Sequence, residues 1–165
     1  MLESTTELIQ RTIDSTRELM FELNPPQLDE LGLWPAIEWL ADKLKQHVGF
    51  GLQVRLEDDD ANSEIGKERE SILFRVVREL LHNVVKHSGS EQAVVRRSVT
   101  ADDLVIQVED FGCGFSPPVD VLGTTSLGLF LTRERMRSMN GSIDVQSQPG
   151  EGTTVTLTAP LESTP

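Results

Sequence analysis

A single cysteine, Cys113, occurs among the 165 residues, so no disulfide can form within the chain. The first residues lack the basic-then-apolar pattern of a secretion signal, and the chain reads as cytoplasmic. No apolar run approaches the ~20 residues needed to span a bilayer. Membrane contact by this stretch is therefore not expected, although a membrane anchor elsewhere in a longer protein is left open. Basic residues are scarce as well: 15 Lys and Arg stand against 27 Asp and Glu, a formal charge of -12. Such a field repels polyanions and argues against a nucleic-acid surface. A smaller anionic ligand would have to be held locally, by backbone N–H groups, a metal ion or a few placed cations.

What is present is enough for one packed domain, with 38% hydrophobic residues and no internal repeat. Leu2, Thr6, Ile9, Ile13, Thr16, Met20 and Leu23 alternate at spacings of four and three, the seam of a coiled coil or helical hairpin. "NPPQLDELG" then breaks the helix, because consecutive prolines exclude its continuation. The boundary expected there separates an N-terminal helix, residues 1–27, from a domain over residues 28–165.

"LWPAIEWLADKLKQHVGF" reads as a second helix and "LQVRLED" as a strand. The acidic run Asp58, Asp59, Asp60 invites a calcium loop, but Ser63 and Arg69 replace the Gly and Glu that such a loop needs. It is read as a solvated loop. A helix from Ser63 to about Ser88 precedes two strands, "QAVVRRSVT" and "DLVIQVED"; a further helix, "SLGLFLTRERMRSMNG", ends at Asn140 and Gly141. "SIDVQSQ" and "TTVTLTAP" close the chain as a hairpin. Intermixed helices and paired strands predict an α+β, two-layer sandwich with a mixed sheet backed by helices.

Chemistry-bearing residues fall in four blocks. Leu104, Ile106, Val108 and Asp110 alternate onto one strand face, so a row that should be buried ends in a carboxylate. That carboxylate either caps the turn that follows or accepts a hydrogen bond from a ligand amino group such as the exocyclic amine of adenine. Gly112 and Gly114 permit close backbone approach. The spacing is not a Rossmann fingerprint, since Pro117 stands where its third glycine belongs. In the preceding helix Glu79, Asn83, Lys86 and His87 stand at i, i+4, i+7 and i+8, which stacks them along one stripe. This stripe is either a solvated face or a set of oxygen donors for Mg2+ beside donors for phosphate. Thr124, Thr125, Ser126, Leu127, Gly128 and Leu129 lie at a helix start, where free N–H groups favour a phosphate. "GEGTTV" places Thr153 in a hairpin.

In this order, E-x-x-x-N-x-x-K-H, D-x-G-x-G-F, G-L-x-L-x-R-E-R and G-x-G-T, the blocks resemble the ATP-binding domain of two-component sensor histidine kinases. The likeness covers residues 28–165, and "RELMFELNPPQLDELGLWPAIEWLADKL" is similar to the junction leaving the dimerisation helices in the nitrate-regulator-type subfamily. The resemblance implies the sandwich shared with gyrase-type and Hsp90-type ATPases, with ATP and Mg2+ as cofactors. It implies that Asn83 ligates Mg2+ with support from Glu79, that Lys86 and His87 lie near the phosphates, and that Asp110 binds the adenine amine. Gly112 and Gly114 would shape the pocket, the Thr124 to Leu129 segment would contact the phosphates, and Thr153 would lie close to Asp110. Phe111 and Ser126 depart from residues common in the family.

Kinases of this kind phosphorylate a histidine, usually followed by an acidic residue, on a first dimerisation helix. His47, His82 and His87 are followed by Val48, Asn83 and Ser88, so none fits. The chain is expected to be part of a longer, homodimeric kinase, to bind ATP, and not to autophosphorylate alone. Its implied partner is a response regulator receiver domain, of helix-turn-helix type. An anti-sigma-factor-type serine kinase and a gyrase-type or Hsp90-type ATPase are the alternatives.

Overall fold

The computed structural model describes residues 26–47, 53–58, 65–116 and 127–161. The expected N-terminal helix, Thr124, Thr125, Ser126 and most of the acidic run lie outside these residues. Two short helical segments come first, α1 (Pro26–Leu31) and α2 (Leu33–His47), followed by β1 (Gln53–Asp58) and α3 (Lys67–Asn83). After them come β2 (Gln92–Val99), β3 (Asp103–Asp110), α4 (Leu127–Ser138), β4 (Ser142–Gln148) and β5 (Gly152–Pro160). Among the described residues no helix is long and apolar enough to cross a membrane.

The strands form one five-stranded sheet in the order β1-β2-β3-β5-β4. β1 pairs with β2 in parallel and the other pairings are antiparallel, so the sheet is mixed, as the sequence predicts. Along β3, Leu104, Ile106, Val108 and Asp110 are all buried, the period-two row of a half-buried strand. Opposite them on β5 stand Ala159, Leu157, Val155 and Thr153 in register. The apolar members of both rows join Ile37, Leu40, Phe74, Val77, Leu81 and Met136 of the helices in one core.

Helix α3 starts at Gly66 without a side-chain cap, and Glu68 and Glu70 lie in its first turn, where carboxylates favour the helix dipole. Glu70 also accepts the Leu33 N–H at 3.3 Å, and Arg69 donates to the Pro160 carbonyl at 2.7 Å. These bonds tie the start of α3 to α2 and to the end of β5. The helix does not continue regularly to Ser88: Val84–Ser88 form a π turn, closed by Gly89 at φ 67. A wider turn shifts every side chain after Asn83 out of α register. Glu79 and Asn83 therefore keep their i, i+4 stacking, while Lys86 leaves that stripe. At the end of α4 it is Asn140, at φ 59, that adopts the left-handed stop, and Gly141 N–H returns to the Met136 carbonyl at 2.8 Å.

Candidate functional site

The ends of the inward rows meet at one edge of the core. Asp110 opposes Thr153 across β3 and β5, and Ser147 opposes Thr153 across β4 and β5. Above them a pocket of about 650 Å3, open solvent included, lies between the end of α3, the loop after β3, the start of α4 and the β4–β5 hairpin. Its walls are apolar, from Leu80, Val84, Val108, Leu129, Val145 and Val155; Asn83, His87, Ser88, Asp110 and Thr153 are among its polar residues. A lining of this kind suits a small molecule held by a few placed hydrogen bonds.

Asp110 is 7% exposed, and its Oδ1 accepts the Gly112 N–H at 2.9 Å. Thr153 donates to the same carboxylate through both its N–H and its hydroxyl. Burial pushes the carboxyl above the usual carboxylate range; the Gly112 and Thr153 hydrogen bonds pull it back in part, and the charge of Glu109 adds to the rise. Capping the turn and facing the pocket are thus not exclusive, because the same carboxylate does both.

The loop after β3 is clamped from two sides. Cys113 N–H donates to the Ser88 carbonyl at 2.8 Å, and the Cys113 carbonyl accepts Gly150 N–H at 2.7 Å. Gly112 lies so close to the π turn that a Cβ there would stand 2.2 Å from the Ser88 carbonyl oxygen. Gly114 has φ +55, and a Cβ there would meet the Gln148 oxygen at 2.0 Å. Both glycines are therefore demanded by space, and Gly114 also by its left-handed backbone.

Of the residues singled out in the sequence, Asn83, His87, Asp110, Gly114, Leu129 and Thr153 line this one pocket. Glu79 is beside it: a Cβ on Gly128 would lie 2.9 Å from Glu79 Oε1 and 3.9 Å from Asn83 Nδ2, so the first turn of α4 sits over the Glu79–Asn83 pair. Gly112 backs the loop instead of lining the pocket. Lys86 is exposed and is not on the wall, a consequence of the π turn. Leu127 opens α4.

Ser147 is the residue that sequence reasoning missed. It is 7% exposed; its Oγ accepts Phe115 N–H at 2.9 Å and lies 3.1 Å from the Gly152 carbonyl and 3.0 Å from Thr153 Oγ1. Ile143, Val145 and Ser147 alternate on β4, the same sign of a buried row ending in a polar group that marked Asp110. Among the described residues no three His, Cys, Asp or Glu side chains converge so as to hold a metal by themselves.

The family described as histidine kinase-, DNA gyrase B- and HSP90-like ATPase matches residues 68–163. The oxygen sensor histidine kinase NreB of Staphylococcus carnosus is 32% identical over 154 residues, covering 93% of this chain and 44% of that protein. Among solved structures, the blue-light activated histidine kinase EL346 of Erythrobacter litoralis superposes with a TM-score of 0.66 at 23% identity, over 78% of this chain and 42% of that one. Full-length ShkA in complex with AMPPNP gives a TM-score of 0.67 at 18% identity, over 78% and 30% respectively. The chain thus spans less than half the length of the curated relative with which it is compared.

Proposed function

This chain belongs to the histidine kinase-, DNA gyrase B- and HSP90-like ATPase family, and from that premise we propose that it is the ATP-binding catalytic domain of a two-component sensor histidine kinase. The observation that carries the reading is the Asp110 carboxylate, fixed by Gly112 and Thr153 at an otherwise apolar pocket. An ionised carboxylate at such a place accepts from an exocyclic amine and rejects a base with a carbonyl there. The aliphatic walls accommodate the faces of a purine. AMPPNP in the ShkA structure and the histidine kinase NreB among the relatives support ATP as the nucleotide and weigh against the serine-kinase and gyrase-type alternatives.

Where the first turn of α4 lies over α3, Asn83 and Glu79 beside Gly128 fit a magnesium ion that arrives with the nucleotide. Mg2+ is commonly held by one or two side-chain oxygens with phosphates and water completing its six positions. Bound there, the ion would offset charge on the phosphoryl group in transfer. Asn83 would be the direct ligand and Glu79 would orient metal-bound water. The free N–H groups where α4 begins, at Leu127 and Gly128, would face the phosphate oxygens.

The acceptor is a histidine on a dimerisation helix outside this chain. A neutral imidazole attacks through a lone pair it already has, so Glu79 need not remove a proton before attack. In the complete, homodimeric kinase the phosphoryl group would pass on to an aspartate of a response regulator receiver domain, of helix-turn-helix type. The cytoplasm is where both partners would meet.

Isothermal titration of the chain with ATP tests the reading. Asp110→Asn should weaken binding by about tenfold or more, the worth of a charge-assisted hydrogen bond, with or without MgCl2. Asn83→Ala should weaken it only when MgCl2 is present. A wild-type chain that binds no ATP would overturn the reading.

A further inference from the structure

We infer that Ser147 is a positioning residue that sets nucleobase selectivity, by fixing the direction in which the Thr153 hydroxyl donates. This deepens the proposed function and rests on its assignment of Asp110 to the adenine amine. A hydroxyl has one proton and two acceptor sites. Phe115 N–H occupies one acceptor site of Ser147 Oγ, at 2.9 Å, and this leaves the Ser147 proton to donate. The two acceptors within reach are the Gly152 carbonyl at 3.1 Å and Thr153 Oγ1 at 3.0 Å. Both belong to the same turn into β5.

A proton given to Thr153 Oγ1 obliges the Thr153 proton to point elsewhere, and Asp110 is the acceptor it meets. One given to the Gly152 carbonyl leaves an acceptor site of Ser147 Oγ open beside Thr153 Oγ1, and fixes instead the backbone from which Thr153 N–H reaches the same carboxylate. In both arrangements the Asp110 carboxylate is the stronger acceptor for the Thr153 proton, and Ser147 holds the turn from which Thr153 donates to it. When the proton goes to Thr153 Oγ1, the chain from Phe115 N–H through Ser147 and Thr153 to Asp110 is polarised in one direction, and such chains strengthen their terminal bond. Asp110 is thereby kept a pure acceptor with a fixed orientation toward the pocket. Ser147 itself is absent from the pocket wall, so it acts through Thr153.

The probe is the preference for ATP over inosine triphosphate, which replaces the amine by a carbonyl, measured by titration calorimetry with MgCl2. The wild-type chain should prefer ATP. Ser147→Ala should narrow the preference by about three- to tenfold, the net worth of one hydrogen bond, chiefly through weaker ATP binding, and Ser147→Thr should restore it. Ser147→Cys keeps the volume with a poor hydrogen-bonding group, and it carries the comparison should the alanine variant fail to fold. A merely structural serine would weaken both nucleotides alike, and that result, or an unchanged preference, would overturn the inference while leaving Asp110 in its role. A wild-type chain with no preference for ATP would overturn the Asp110 reading and the inference with it.

Discussion

Replacing Gly112 by alanine should lower the melting temperature of the chain by roughly 4 to 16 °C, at about 2–4 °C per kcal/mol for a chain of this size. The added Cβ would stand 2.2 Å from the Ser88 carbonyl oxygen and 2.7 Å from both the Ser88 carbonyl carbon and Cβ, more than ~1 Å inside the optimum for nonbonded contact. Ser88 is poorly placed to yield. Its Oγ donates to the Val84 carbonyl at 2.7 Å and accepts Ser90 N–H at 2.9 Å, and its carbonyl accepts Cys113 N–H at 2.8 Å. Relief therefore requires the loop to retreat and give up the Cys113 bond. Overpacking of this kind costs about 1–3 kcal/mol and the lost bond about 0.5–1.5, together about 2–4 kcal/mol. Thermal unfolding followed by circular dichroism reads the effect, with Gly89→Ala as reference. Gly89 has a left-handed backbone at φ +67 but nothing within 4 Å of its Cβ direction, so that variant carries backbone strain alone, about 1–2 kcal/mol. A Gly112→Ala protein that melts within ~2 °C of wild type, or no lower than Gly89→Ala, would refute the reasoning, because the clash would then have been absorbed without loss.

Gly128→Ala should behave differently, since its Cβ would meet the free end of Glu79 at 2.9 Å. Glu79 can swing aside, so the melting temperature should stay within a few degrees while the Mg2+-dependent part of ATP binding falls; unchanged Mg2+ dependence in calorimetry would count against a Glu79–Asn83 metal face. Asp110 should leave a signature in pH. Burial raises its carboxyl in the folded protein. Below the ordinary value of ~3.9 both folded and unfolded states hold the proton, and as pH climbs from there to the raised native value the unfolded chain ionises first. Stability therefore declines with rising pH across that window, and urea unfolding of Asp110→Asn should lack this component. Identical pH slopes for the two proteins would contradict a raised Asp110.

The features legible in the sequence are those written in side-chain period. Leu104, Ile106 and Val108 announce a half-buried strand, and Asp110 at the end of their row announces a buried carboxylate. The stop at the end of α4 was likewise foreseeable, although Asn140 and not Gly141 takes the left-handed conformation. The π turn at Val84–Ser88 was not legible, because it depends on a partner distant in the chain. Gly112 packs on Ser88, and Cys113 N–H binds its carbonyl. No local preference in "VVKHS" states either contact, and a regular helix was the natural expectation. Lys86 was consequently placed on a stripe that the turn dissolves.

Ser147 escaped notice for a related reason, and the cause shows how the site is specified. Asp110, Thr153 and Ser147 stand at the ends of the inward-facing rows of β3, β5 and β4, the last in β3 and β4 and the first in β5, and each is polar where its row is otherwise apolar. Each residue alone is ambiguous. Their meaning comes from register: Asp110 opposes Thr153, and Thr153 opposes Ser147. A slip of one residue between β3 and β5 that brought Gly152 opposite Asp110 would offer the carboxylate no hydroxyl and turn Thr153 to the other face of the sheet. The register is held by the apolar pairs Val108–Val155, Ile106–Leu157 and Leu104–Ala159, which have no chemistry of their own. It is also held at the turn, where a Cβ on Gly152 would lie 2.1 Å from the Asp110 carbonyl, so that no other residue admits this approach. Core packing and site geometry are therefore one constraint: substitutions that loosen the β3–β5 apolar pairs should first be felt at the Asp110 carboxylate, several residues away along the strand.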